Sequence, residues 1–148
     1  LHLSLRRQRQ MCIRDSRILV DSDGHDATLV EGAGGVLVGL DNDGSGVLDL
    51  MDAFTRRGHE PHVIVVTRSV LGTLNHTGLT CHAIRDRGHQ VDAIVIGSWP
   101  DRPDLAERCN LEEIEDAAGA PLVGVIPAGI GKDPEAVQQT ARNLGETQ

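Results

Sequence analysis

The chain has 148 residues, enough for one core, and Phe54 and Trp99 are its only aromatic residues, so that core must be Val, Ile, Leu and Ala. The net charge is −8; residues 1–16 carry +3, which leaves −11 on the other 132 and argues against general nucleic-acid binding. No apolar run is long enough to span a bilayer, and Cys12, Cys81 and Cys109 show neither metal-type spacing nor an even-numbered framework, so a reducing cytoplasm is the simpler setting.

Residues 1–16, LHLSLRRQRQMCIRDS, lack the apolar stretch of a secretory signal. They are similar to a leader that recurs before unrelated reading frames, and they are read as non-native, with a native basic arm as the alternative. The domain is then 17–148. ATLVEG (27–32) reads as a first short strand. DNDGSGVLDLMD (41–52) has the acidic and hydroxyl spacing of a calcium loop. The preceding GAGGVLVGL is too glycine-rich for the helix such a module needs, and no second loop follows, so the stretch reads as an acidic connector into a helix over 46–58. HVIVVT (62–67) is a β-branched run, the mark of a strand buried on both faces. A helix over 73–88 follows, with Leu74, Leu79, Cys81 or His82 and Ala83 or Ile84 on one side, and then a strand over 91–97. SWPDRPDLAERC reads as a loop, NLEEIEDAAG (110–119) as a short helix, PLVGVIP (121–127) as a fourth strand, and 133–145 as a closing helix opened by Asp133 and Pro134.

Alternating strands and helices of this kind predict an α/β fold, a doubly wound, mostly parallel sheet with right-handed crossovers. Ligands of such sheets sit beyond the carboxyl ends of the strands. Four loops are therefore singled out: 31–35, 67–75, 97–100 and 127–131. In VEGAGG (30–35), Glu31 suits a magnesium ligand, with the backbone of Gly32, Ala33 and Gly34 free to approach phosphate; a tight turn with a solvated Glu fits the spacing equally. In TRSVLGTLNHTGLT (67–80), Gly72 and Thr73 lead into a helix whose first N–H groups could seat a carboxylate or phosphate, unless Thr73 simply caps it. Asn75 adds a directional amide, and His76, with no local nucleophile, reads as a packing or polar residue. IGSWP and IPAGIG could flank a nucleotide base, or be plain loops. His59 and His62 have H-x-x-H spacing without an evident third ligand.

Taken together and in this order, LVEGAGGVLVGL, VVTRSVLGTLNHTGLT, VIGSWP and LVGVIPAG resemble the C-terminal part of the dethiobiotin synthetases, and GSWP…ERCNL is similar to the actinobacterial form. The resemblance covers about residues 27–131. It implies a P-loop-type fold and a cytoplasmic homodimer that uses ATP, magnesium and carbon dioxide to close the ureido ring of 7,8-diaminononanoate (7,8-diaminopelargonate). It also implies that Glu31 binds magnesium, with Gly32, Ala33 and Gly34 beside the phosphates. Gly97, Ser98, Pro127, Ala128 and Gly129 would line the base, and Leu71, Gly72, Thr73 and Asn75 would hold the diamine's carboxylate or chain across the dimer interface. The family often has Asn at position 97. The family's catalytic lysines have no counterpart here: the sequence holds no G-x-x-x-x-G-K-[ST], and its only lysine is Lys132. The 148-residue chain alone is therefore expected to be inactive. Two other readings remain: a non-catalytic regulatory or dimerisation module of the same fold, and a related P-loop amidotransferase-type synthetase, which would need a glutaminase Cys–His pair not evident here.

Overall fold

The computed structural model describes residues 26–32, 34–42 and 44–145. The chain divides into two compact units, Leu1–Pro61 and His62–Gln148. Residues 1–16 and Ala33 lie outside the described residues.

Among the described residues of the first unit the regular element is α1, Val47–Arg56. The strand expected over 27–32 is not formed: the described residues before α1 are turns and irregular backbone, and Leu29 is 94% exposed. The apolar alternation of ATLV is not sufficient, because a strand exists only through backbone pairing, and this segment has no strand beside it among the described residues. The acidic stretch 41–52, apart from Asp43, which lies outside the described residues, folds as a helix entry. Asp41 Oδ1 accepts from Ser45 N at 2.8 Å, and the Asp49 carboxylate accepts from Gly46 N at 2.8 Å. Gly46 is required there, since a Cβ would lie 2.8 Å from the carbonyl oxygen of Val38. Gly58, at φ +83°, ends the helix as expected, and His59 packs edge-on against Phe54.

The second unit is built as β1 (Ile64–Thr67), α2 (Thr73–Asp86), β2 (Ala93–Trp99), α3 (Leu105–Ala118), β3 (Leu122–Pro127), a 3-10 turn (Ile130–Lys132) and α4 (Pro134–Gly145). All strand pairs are parallel, in the order β1-β2-β3. The α/β class and the parallel sheet read from the sequence are borne out. Because the order runs in one direction, right-handed crossovers carry α2 and α3 to the same face of these strands. That face holds Val65, Thr67, Ile94 and Ile96, and both isoleucines are fully buried.

The inner side of α2 differs from the expected one. Cys81 and Ile84 lie on it as expected, but Thr73 and Thr77 take the places given to Leu74 and Leu79, and Leu79 is 60% exposed. Close approach selects this face: at Gly78 a Cβ would lie 3.1 Å from the carbonyl oxygen of Ala117 in α3, so only small residues fit the seam. Thr77 spends its hydroxyl on Thr67 of β1, at 2.7 Å. Helix α3 is longer than expected and begins five residues earlier. Asp104 accepts from Glu107 N at 2.8 Å, and the Glu107 carboxylate in turn accepts from Asp104 N at 2.9 Å. This reciprocal cap starts the helix inside a stretch whose prolines suggest a loop. At the other end Arg85 of α2 donates to the carbonyl oxygens of Ala118 and Gly119, closing α3.

Candidate functional site at the carboxyl edge of the sheet

Parallel pairing puts the last residues of all three strands, Thr67, Trp99 and Pro127, on one edge. The loops leaving that edge contain most of the residues singled out from the sequence: Leu71, Gly72, Thr73 and Asn75 after β1, Gly97 and Ser98 at the end of β2, and Pro127, Ala128 and Gly129 after β3. Glu31, Gly32 and Gly34 belong to the other unit.

The loop after β1 is a tight turn. Thr73 N donates to Val70 O at 3.1 Å, and Gly72, at φ +92° and ψ −7°, has the left-handed geometry a type II turn needs at its third residue. Gly72 is also the N-cap of α2, and no side chain caps the helix. Thr73 does not cap it. Its hydroxyl points inward to Thr67 Oγ1, at 2.7 Å, and Thr67 Oγ1 also meets Thr77 Oγ1. The first turn of α2 thus has N–H groups without a capping side chain, the arrangement that favours an anion. Leu71, 84% exposed, and Asn75 face solvent beside it, and so does His76.

At the end of β2, Gly97 and Ser98 lie in a bulge: Ile96 pairs with Val125 and Trp99 with Pro127, so β2 carries one extra residue. A Cβ on Gly97 would lie 2.7 Å from Val66 Cγ1. The exit of β3 is tied to β2 by Ala128 N donating to Trp99 O at 2.8 Å, and Gly129, at φ +82°, turns the chain into the 3-10 segment. Each edge loop also carries one exposed cation, Arg68, Arg102 and Lys132.

In the first unit, Glu31 is exposed and Gly32 packs on α1, where a Cβ would come within 3.3 Å of Val47 Cβ. Gly34 and Gly35 have positive φ. One exposed carboxylate fits a magnesium ion that keeps most of its waters and takes further ligands from phosphates; it does not make an all-protein cage. Among the described residues no group of three or more His, Cys, Asp or Glu is placed to hold a metal. His59 packs on Phe54, while His62 lies 3.7 Å from Asp92. Burial pushes the Cys81 thiol up, with the Arg85 charge pulling it partly back.

Three residues at this edge were not foreseen. Ser69, Glu107 and Asn110 are all buried. Ser69 Oγ donates to Glu107 Oε1 at 2.7 Å, and Asn110 Nδ2 donates to Ser69 O at 2.8 Å. The D-x-x-E spacing of Asp104 and Glu107 signals the helix start, but nothing local signals the contact with Ser69.

This parallel α/β architecture, with its glycine-rich loops on the carboxyl edge, is that of a nucleotide-binding domain of the P-loop NTPase type, and the chain belongs to the AAA domain family, whose model matches residues 3–136. Within that class the resemblance to the dethiobiotin synthetases is borne out by curated relatives. The chain is 49% identical over 118 residues to an ATP-dependent dethiobiotin synthetase of Rhodococcus erythropolis, covering 80% of this chain and 49% of the relative. It is 48% identical over 121 residues to that of Streptomyces coelicolor, covering 79% and 48%. It is 48% identical over 118 residues to that of Saccharopolyspora erythraea, covering 80% and 50%. The chain spans about half the length of these relatives.

Proposed function

We propose that these residues form part of an ATP- and magnesium-dependent dethiobiotin synthetase, a cytoplasmic homodimeric ligase. It carboxylates 7,8-diaminononanoate with carbon dioxide and closes the ureido ring. The observation that carries this reading is the similarity to the ATP-dependent synthetases, together with the convergence of the matching loops on one sheet edge. Three of the four blocks that resemble the family lie there.

In this reading the uncapped start of α2, with Leu71, Gly72, Thr73 and Asn75, takes the diamine's carboxylate or chain. Gly97, Ser98, Pro127, Ala128 and Gly129 line the base of ATP through backbone groups. Glu31 would hold magnesium, which neutralises phosphate charge when bound, with Gly32, Ala33 and Gly34 beside the phosphates. The reaction is phosphoryl transfer to a carbamate followed by ring closure with release of phosphate, and positioning and charge neutralisation carry such chemistry. The chain has no Walker-type lysine, so the 148 residues alone are inactive in this proposal.

The test is dethiobiotin formation by the full-length gene product that carries these residues, beside the 148-residue chain. Formation by the longer protein alone is the expected result. Absence of product from the longer protein, with ATP, magnesium, bicarbonate and the diamine supplied, removes the synthetase reading and favours a regulatory module of the same fold. Glu31→Gln should lower kcat by ten-fold or more, roughly the effect of losing one charged ligand group.

A further inference from the structure

The turn after β1 is held from outside its own element. Ser69 opens it, and two residues of α3, 38 and 41 positions away, grip Ser69 from both sides: its hydroxyl donates to Glu107, and its carbonyl oxygen accepts from Asn110. All three residues are buried, Glu107 with only 8% of its surface exposed. Glu107 is fixed in turn, since its second oxygen accepts from Asp104 N and its own N–H donates to Asp104 Oδ1. A carboxylate at the start of a helix is also favoured by the helix dipole. The network is therefore one clamp with α3 as its rigid arm, and the Val70–Thr73 turn follows directly on the residue it grips.

Helix packing alone does not require such a clamp. The α2–α3 seam already has Gly78 against Ala117 and Arg85 on the end of α3. A buried carboxylate is costly unless its hydrogen bonds are made, so a Glu at this position is explained by what it holds. Glu107 holds the Ser69 hydroxyl as well as its own helix cap, and Asn110 holds the Ser69 carbonyl, the backbone that leads into Leu71 and Gly72.

We propose that Glu107 and Asn110 are positioning residues that lock Ser69, and through it the Val70–Thr73 turn, into the conformation that receives the substrate's carboxylate or chain. The ligand in this statement rests on the synthetase reading; the hold on the turn does not.

The experiment uses the full-length gene product with Glu107→Gln, Glu107→Ala, Asn110→Ala and Ser69→Ala. Three things are read: KM for the diamine against KM for ATP, amide exchange at residues 70–75, and the urea midpoint. Glu107→Gln keeps an acceptor for the Ser69 hydroxyl and is the variant to rely on if Glu107→Ala does not fold. Ser69→Ala and Asn110→Ala should each raise the diamine KM roughly tenfold, the effect of one lost buried hydrogen bond, with KM for ATP within about twofold. Exchange at 70–75 should quicken by a similar factor, and Glu107→Gln should fall between these variants and the wild type. Equal rises in both KM values, or unchanged exchange at 70–75, overturn the proposal. A wild type that makes no dethiobiotin overturns the synthetase reading instead, and the exchange data, which need no substrate, then still uphold or overturn the clamp.

Discussion

Val66 of β1 leans over Gly97 of β2, so that a Cβ on Gly97 would fall 2.7 Å from Val66 Cγ1. Val66 is 65% exposed, and it pairs in register with Val95, two residues before the glycine. A valine side chain has one torsion and no flexible far end to move away. The absence of a side chain at 97 is thus coupled to the presence of a branched one at 66.

Gly97→Ala should therefore destabilise the protein by about 1–3 kcal/mol, the usual cost of overpacking. Val66→Ala in the same chain should restore most of it. A double-mutant cycle in urea measures the coupling, and additive losses would show that the two side chains do not compete for space.

Gly78→Ala sets two effects against each other. Alanine in a helix interior gains roughly 0.5–1 kcal/mol over glycine. The new methyl would lie 3.1 Å from the carbonyl oxygen of Ala117, a backbone atom of a helix fixed at both ends. The seam should win, giving a net loss of about 1 kcal/mol in thermal or urea unfolding. A gain in stability would mean that α3 yields.

Arg85→Ala removes two donors from the end of α3, one to Ala118 O and one to Gly119 O at 2.9 Å. The loss should be about 1–2 kcal/mol, since these bonds have a charged donor and lie partly in solvent. Gly119, at φ +62°, is the left-handed cap of the same helix, and Gly119→Ala should cost about 1 kcal/mol. Faster amide exchange confined to the last turn of α3 would confirm the shared cause.

The thiols should separate by reactivity. Cys109 is exposed and Cys81 is fully buried, so a maleimide on a Cys12→Ser background should label Cys109 in the native protein and Cys81 only on unfolding. Burial raises the Cys81 pKa above the ordinary thiol value of 9.0. The folded state then keeps a proton that the unfolded state releases, so this contribution to stability is whole below pH 9.0 and declines as pH rises through the folded-state value. Cys81→Ala should flatten that alkaline decline in the urea midpoint.

The α/β alternation, the three parallel strands and the glycine-bearing edge loops were legible in the sequence, because β-branched runs and glycine or proline stops are local signals; burial of the 62–67 run on both faces was not borne out, since Ile64 and Val66 of β1 are 57% and 65% exposed. The loop blocks also sufficed for the resemblance to the synthetases, since they sit in order along the chain. The strand over 27–32 was not legible in the same way: its apolar pattern is present, but a strand depends on a neighbour that pattern does not supply. The inner face of α2 depends on how closely α3 approaches, so Thr73 and Thr77 were selected over Leu79, beside the expected Cys81 and Ile84. The clamp on Ser69 joins residues 38 and 41 positions apart. Hydrogen bonds of that kind depend on where two helices are set on a sheet. Sequence determined the alternation of strands and helices from residue 62 onward and the place of the edge loops; the tertiary structure decided where α3 begins, whether 27–32 pairs, and which polar side chains meet at the carboxyl edge and hold its turn in place.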